Sequence, residues 1–156
     1  MSERNGRRSE ADRMAVLSTL EAEIGVLMRR ARRVIGERAG QVHEDLPGIS
    51  YLMLGYVREH GPVRATAIGC AFHVDKAAVS RHVQQMLELG LLDRRPDPDD
   101  GRATLLSTTA EAERRMAAVA QARRQRLDER LDEWSDETLD GFVDLLGRYN
   151  RLLADD

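Results

Sequence analysis

Eight apolar side chains, Leu17, Leu20, Ile24, Leu27, Met28, Ala31, Val34 and Ile35, recur at three- and four-residue steps through an otherwise charged stretch. That is the spacing of one stripe along an α-helix. Ser9, with Asp12 three residues on, supplies a capping box in front of the stripe and predicts a first helix over roughly 10–38. A second helix opens near Pro47, because a residue without an amide hydrogen suits a first helical turn. It turns Ile49, Leu52, Met53, Tyr56 and Val57 inward and stops at Gly61-Pro62. In the run RATAIGCAFHVDKAAVSRHVQQMLELG, two short helical patterns meet at His73-Val74, and Asp75 can cap the second by accepting from first-turn amides. Two helices joined by a tight turn make a helix-turn-helix. Val79, Val83 and Met86 of its second helix face inward, which leaves Lys76, Ala77, Ser80, Arg81 and Gln84 outward.

The period then changes. Leu91–Arg95 and Ala103–Ser107 read as two short strands, with PDPDDG as a long hairpin tip. Thr108 and Thr109, followed by Glu111, start a fifth helix whose apolar positions Met116, Ala120, Leu127, Leu131 and Trp134 keep nearly heptad spacing. Ser135 caps a last helix. Its acidic start, Asp136, Glu137 and Asp140, complements the helix dipole, and Leu139, Phe142, Val143, Leu146, Tyr149, Leu152 and Leu153 form its stripe. The fold class expected is mainly α with a small β-hairpin wing: a winged helix-turn-helix of six helices. The segments are a flexible tail at 1–9, helix 1 and a linker at 10–45, the winged helix-turn-helix at 46–108, and helices 5 and 6 at 109–156. No internal repeat or low-complexity tract interrupts them.

Composition sharpens this picture. The 156 residues are about one domain's worth, and a chain with 4% aromatic and 33% charged residues suits long amphipathic helices better than a strand sandwich. Cys70 is the only cysteine and makes no internal bridge. The polar start MSERNGRRSE has no apolar signal core, and no apolar run approaches the roughly 20 residues that span a bilayer. A cytoplasmic protein is expected, without membrane partner. A net charge of -3 argues mildly against nucleic acid, but residues 1–57, 58–102, 103–126 and 127–156 carry +1, 0, +3 and -7. The acidity is concentrated at the end, so the middle can face phosphates. Helices 1, 5 and 6 also carry more apolar stripe than a small central core needs. Either they cover one another within one chain, or the same surface meets itself in a twofold homodimer, which is the expectation taken here.

On the outward face of the second motif helix, Arg81 suits a guanine edge, Gln84 an adenine edge and Ala77 a thymine methyl, while Ser80 and Lys76 suit a base edge or a phosphate. A plain solvated helix face has the same composition. The hairpin tips the balance. Arg102, at the end of a Pro-Asp turn, suits insertion into the narrow minor groove beside a helix in the major groove, with Arg95, Asp100 and Gly101 around it. Asp100 can pair with Arg94 or Arg95 and so fix the loop instead of touching DNA.

From Val63 to Ser107, centred on VSRHVQQMLELGLLDRRPDPDDGRATLLST, the chain resembles the winged helix-turn-helix of the MarR family of bacterial transcription regulators. Val79-Ser80-Arg81, Gly90-Leu91 followed by Arg94, Asp97 to Arg102 as the wing, and the Leu-Ser-Thr-Thr entry to helix 5 carry the likeness. The resemblance implies a homodimer on a pseudopalindromic operator, with the helix from Asp75 to Leu89 in the major groove and Arg102 in the minor groove. It also implies a repressor that releases double-stranded DNA when a small phenolic or anionic effector binds between the dimer and DNA-binding regions. Three positions depart from the pattern: His73 replaces a turn glycine, Asp99 stands where the wing is often basic, and Ala112 replaces a glycine in helix 5.

Other features admit sharper and plainer readings. Tyr51, Leu54 and Met116 can line an effector pocket, as can Met53, or simply pack in the core. Cys70 reads as a small buried side chain rather than a redox sensor. Cys70 and His73 are three apart, yet too few ligands lie nearby to suggest zinc, and no metal or cofactor is expected. The run Arg29-Arg30-Ala31-Arg32-Arg33 is either a solvated flank pairing with acidic residues of helix 6 or a site for a carboxylate or phosphate. Arg4, Arg7 and Arg8 can form a minor-groove arm. No Gly-rich phosphate loop, carboxylate pair or activated nucleophile points to an enzyme. A winged helix turned protein-binding module, antirepressor-like, is the alternative; its mark would be loss of Arg81 and Arg102, and both are present.

Overall fold

The computed structural model describes residues 9–153. The order is α1 (Glu10–Val42), α2 (Gly48–His60), β1 (Val63–Arg64), α3 (Ala65–Phe72), α4 (Lys76–Glu88), β2 (Leu92–Asp97), β3 (Asp100–Thr108), α5 (Ala110–Arg130) and α6 (Asp136–Leu152). These are the six helices and the wing of the expected class. The arginines at 4, 7 and 8 lie outside the described residues.

Two compact bodies divide the chain, one ending at Met116 and the other beginning at Ala117. In the first, Ser9 Oγ accepts from the Asp12 amide at 3.1 Å and starts α1 as the capping box predicts. The helix runs past residue 38 to Val42, because Ala39 and Val42 are buried and continue the inward stripe. Helix α2 buries Ser50, Met53, Leu54 and Val57. Ile49 and Leu52, expected inside, are 37% and 38% exposed. Each sits one residue before a buried position, which turns its side chain about 100° away from the core face. Tyr56 is half-buried and stacks on His60.

Helices α3 and α4 cross closely. A methyl group on Gly69 would lie 3.2 Å from the Val74 carbonyl and 3.6 Å from Val79, so a side chain there would press the turn outward by a few tenths of an ångström. His73 takes the left-handed conformation there, at φ 51°, one that histidine enters more readily than β-branched residues do. Beyond the end of α4, Gly90 takes a left-handed conformation, φ +67°, and the Leu91 amide donates to the Met86 carbonyl at 2.9 Å in a Schellman closure.

The sheet has the order β1-β3-β2 and is antiparallel throughout. Two features differ from the expected hairpin. Val63 and Arg64 add a third strand against Leu106 and Leu105, one too short to show any alternation. The tip is short: Asp97 pairs with Asp100 across Pro98-Asp99, while Pro96 pairs with Thr104. Residues 101–103 therefore bulge out of the ladder with Arg102 at their centre. Thr109 joins the sheet to α5 by accepting from the Ala112 amide at 3.1 Å and donating to the Gly90 carbonyl at 2.8 Å.

In the second body, α5 stops at Arg130 instead of reaching Trp134. Leu131 and Trp134 belong to the turns that follow, where the Trp134 amide donates to the Leu131 carbonyl at 2.8 Å. Ser135 caps α6 by accepting from the Thr138 amide at 3.2 Å, and Trp134 meets Phe142 edge-on at 5.6 Å. The residues between the helices serve the next cap, which overrides the heptad spacing that crosses them. Helix α6 has no buried residue.

Candidate nucleic-acid interface

Helix α4 is anchored from behind and open in front. Val79, Val83 and Met86 enter the core, while Lys76, Ala77, Ser80, Arg81 and Gln84 are all exposed. Asp75 Oδ1 accepts from the Ala78 amide at 2.9 Å. That amide bond, with Arg81 as a lesser influence, holds the Asp75 carboxyl below the usual carboxylate range. Two further side chains pin the rear of the helix. Buried Ser50 lies 2.9 Å from His82 Nδ1, and Gln85 Nε2 donates to the Asp45 carbonyl at 3.0 Å. In front, Gln84 Nε2 donates to Glu88 Oε1 at 2.9 Å in an exposed pairing. The outward face of the helix is rich in hydrogen-bond donors.

The wing is organised differently. Arg95, Gly101 and Arg102 are exposed, and Asp100 is half-buried. Asp97 is the buried acid, only 6% exposed. Its Oδ2 accepts from Arg64 Nε at 2.7 Å and lies 2.6 Å from Arg64 NH2, and its Oδ1 accepts from the Asp99 amide at 3.0 Å. The Asp99 amide first, then Arg64, depress the Asp97 carboxyl, while Asp97 raises the Arg64 guanidinium. Asp100 does not pair with Arg94 or Arg95 as expected. Its Oδ2 lies 3.6 Å from Arg64 NH1, and its Oδ1 accepts from the Arg102 amide at 3.1 Å. The pairing in β1 brings Arg64 beneath the tip, a proximity that depends on register and is invisible in sequence. No charged partner lies within salt-bridge distance of Arg102 among the described residues.

The remaining candidates scatter. Leu54 and Met116 are buried and Tyr51 is half-buried. None of them lines the cavity of about 780 Å³ that opens between α3, α4 and the wing, where Thr66, Cys70, His73, Ser80, Gln84 and Arg94 meet. Cys70 is exposed, not buried. The core residue of α3 is Ile68, and two residues further along a helix is about 200° round its axis. No group of three or more His, Cys, Asp or Glu among the described residues can hold a metal ion. In the arginine run of α1, Arg33 pairs with Glu37 of the same helix at 3.6 Å. No helix among the described residues is long and apolar enough to cross a membrane.

Similarity to known proteins points the same way. The uncharacterized HTH-type transcriptional regulator YxaD of Bacillus subtilis (strain 168) is 31% identical over 136 residues, covering 87% of this chain and 94% of that protein. Among solved structures, the MarR family transcription regulator SP03579 superposes with a TM-score of 0.80 at 18% identity, over 95% of this chain and 97% of its own. RV1404 from Mycobacterium tuberculosis gives 0.72 at 20% identity, over 94% and 96%. Residues 44–103, the stretch holding α2, the helix-turn-helix and most of the wing, match the sequence model of the MarR family. With its six helices and three-stranded wing, the chain belongs to the MarR family of transcriptional regulators.

Proposed function

We propose that this protein is a sequence-specific double-stranded DNA-binding repressor that acts in the cytoplasm as a homodimer on a pseudopalindromic operator. The observation that carries the reading is the pairing of an α4 face, exposed at Lys76, Ala77, Ser80, Arg81 and Gln84, with an exposed Arg102 on the adjoining wing. In this reading α4 enters the major groove, where Arg81 and Gln84 read base edges. Arg102 enters the minor groove, and Arg95 and the Gly101 backbone lie along the phosphates.

Exposed apolar side chains support the dimer. On α1 they are Met14, Val16, Leu17, Leu20, Leu27 and Met28; on α6 they include Phe142, Val143, Leu145 and Leu146. Helix 1 and helices 5 and 6 supply the interface, and the twofold axis sets the two α4 helices about one duplex turn, ~34 Å, apart. A small phenolic or anionic effector releases the DNA, with Tyr51, Leu54 and Met116 as the residues that line its site.

The test takes the full chain. Sedimentation velocity at micromolar concentration gives a dimer, and selection from a randomised duplex library yields a two-half-site sequence bound in a salt-sensitive manner. A monomer, or equal affinity for selected and unselected duplexes at every salt concentration, overturns the reading. Titrating salicylate into the complex tests the effector, and unchanged affinity removes that part.

A further inference from the structure

The acids of the wing tip and the one arginine beneath them are not used by DNA reading as such. Asp97, Asp99 and Asp100 bring three negative charges to a loop that must approach phosphate. Among the described residues, Arg64 alone is within salt-bridge distance of any of them. Its position is unusual: it lies in β1, pairs with Leu105 of β3, and is also the N-cap residue of α3, the first helix of the helix-turn-helix. One side chain thus joins the wing tip to the motif that carries α4.

From it a continuous chain of polar contacts reaches the fingertip. Two guanidinium nitrogens converge on Asp97 Oδ2, at 2.7 and 2.6 Å. The other Asp97 oxygen holds the Asp99 amide at 3.0 Å. The third nitrogen lies 3.6 Å from Asp100 Oδ2, and Asp100 Oδ1 holds the Arg102 amide at 3.1 Å. The backbone of Arg102 bulges from the ladder and lacks the regular pairing that fixes a strand. Its place is set by the clamp instead.

We infer that Arg64 is a positioning residue for DNA recognition: without touching DNA, it fixes Arg102 relative to α4 and so sets how far the minor-groove contact lies from the major-groove one. The inference rests on the proposed role of Arg102. It differs from a simple charge effect, since a lysine at 64 keeps the charge but cannot send two N–H groups to one Asp97 oxygen while a third faces Asp100. A side chain that acts only through Arg102 has nothing left to do once Arg102 is gone.

The experiment uses the full chain and two fluorescent duplexes, the best-bound sequence selected by the wild-type protein and a scrambled version, measured by anisotropy at matched salt. Arg64→Lys and Arg64→Ala are expected to weaken the selected duplex about fivefold or more while changing the scrambled one less than about twofold. In an Arg102→Ala background the same changes are expected to have no further effect. Asp97→Asn, nearly isosteric, reproduces the loss, and NMR order parameters of the Asp99 and Arg102 amides fall in each variant.

Wild-type behaviour of Arg64→Lys overturns the inference, as does an undiminished loss in the Arg102→Ala background. Equal weakening of both duplexes overturns it too, by making Arg64 an ordinary phosphate contact. Should Arg64→Ala fail to fold, Arg64→Lys and Asp97→Asn carry the test. If Arg102→Ala alone leaves the selected duplex unaffected, the DNA reading of the wing has failed, a result separate from any fault in the clamp.

Discussion

Helix α4 and the wing present side chains to one neighbourhood but hold them by different physics. On α4 the outward residues Lys76, Ser80 and Gln84 recur every four positions, and their directions follow from a backbone fixed by Val79, Val83 and Met86 in the core. Only Gln84 among them has a polar partner, Glu88 of the same helix, at 2.9 Å. On the wing, Arg102 stands in a bulge, and its backbone is held through Asp100, Asp97 and Arg64. The helix draws its precision from repetition and burial, the wing from a few charge-assisted hydrogen bonds. The helical half should therefore fail only when its core fails, and the wing should fail one residue at a time.

The largest effect tests the helical half. Met86 is fully buried, and Met86→Ala is expected to lower unfolding free energy in urea by about 2–5 kcal/mol. If operator affinity falls in the part that remains folded, the rear of α4 does more than supply stability. Next comes Arg102→Ala, expected to weaken the selected duplex about tenfold or more at unchanged stability; unaltered affinity at matched salt breaks the wing's side of the comparison. Smaller in total binding is Arg81→Ala, which is expected to flatten base preference in a library selection while scrambled DNA binds nearly as before. A uniform loss across sequences would make Arg81 a phosphate contact.

The smallest effect is one of pH. Asp97 is held below its ordinary value of 3.8 by the Asp99 amide and Arg64. A depressed carboxyl adds stability that is fully present above the ordinary value and lost as pH falls through the folded one. The clamp should accordingly be constant from pH 8 to 5 and loosen only below about 4, as read from the Asp99 amide shift by NMR. A transition near pH 6 would assign the control to another group.

The outward face of α4 was legible because helical period alone separates Val79, Val83 and Met86 from Lys76, Ser80, Arg81 and Gln84. The caps at Ser9, Asp75 and Ser135 were legible too, since a cap is a local hydrogen bond within three residues. The buried stripe of α2 is narrower by one position than its apolar residues suggest, so Ile49 and Leu52 stay exposed, and Cys70, small enough for a core, is exposed because it lies about 200° round α3 from Ile68. Arg64 was missed altogether, because its partners Asp97 and Asp100 are 33 and 36 positions away and meet it only through the register of β1 on β3. His82 and Gln85 were passed over for the same reason, their partners being Ser50 and the Asp45 carbonyl.

By itself, then, the sequence determined the six helices, the place of the wing and which side of α4 is open, because period, caps and turn residues act over a few neighbours. Tertiary structure alone decided that β1 exists, that the wing tip is two residues long, and that Arg64 meets Asp97 and Asp100. Those outcomes depend on which strand lies beside which, and strand pairing joins residues whose separation along the chain leaves no local mark.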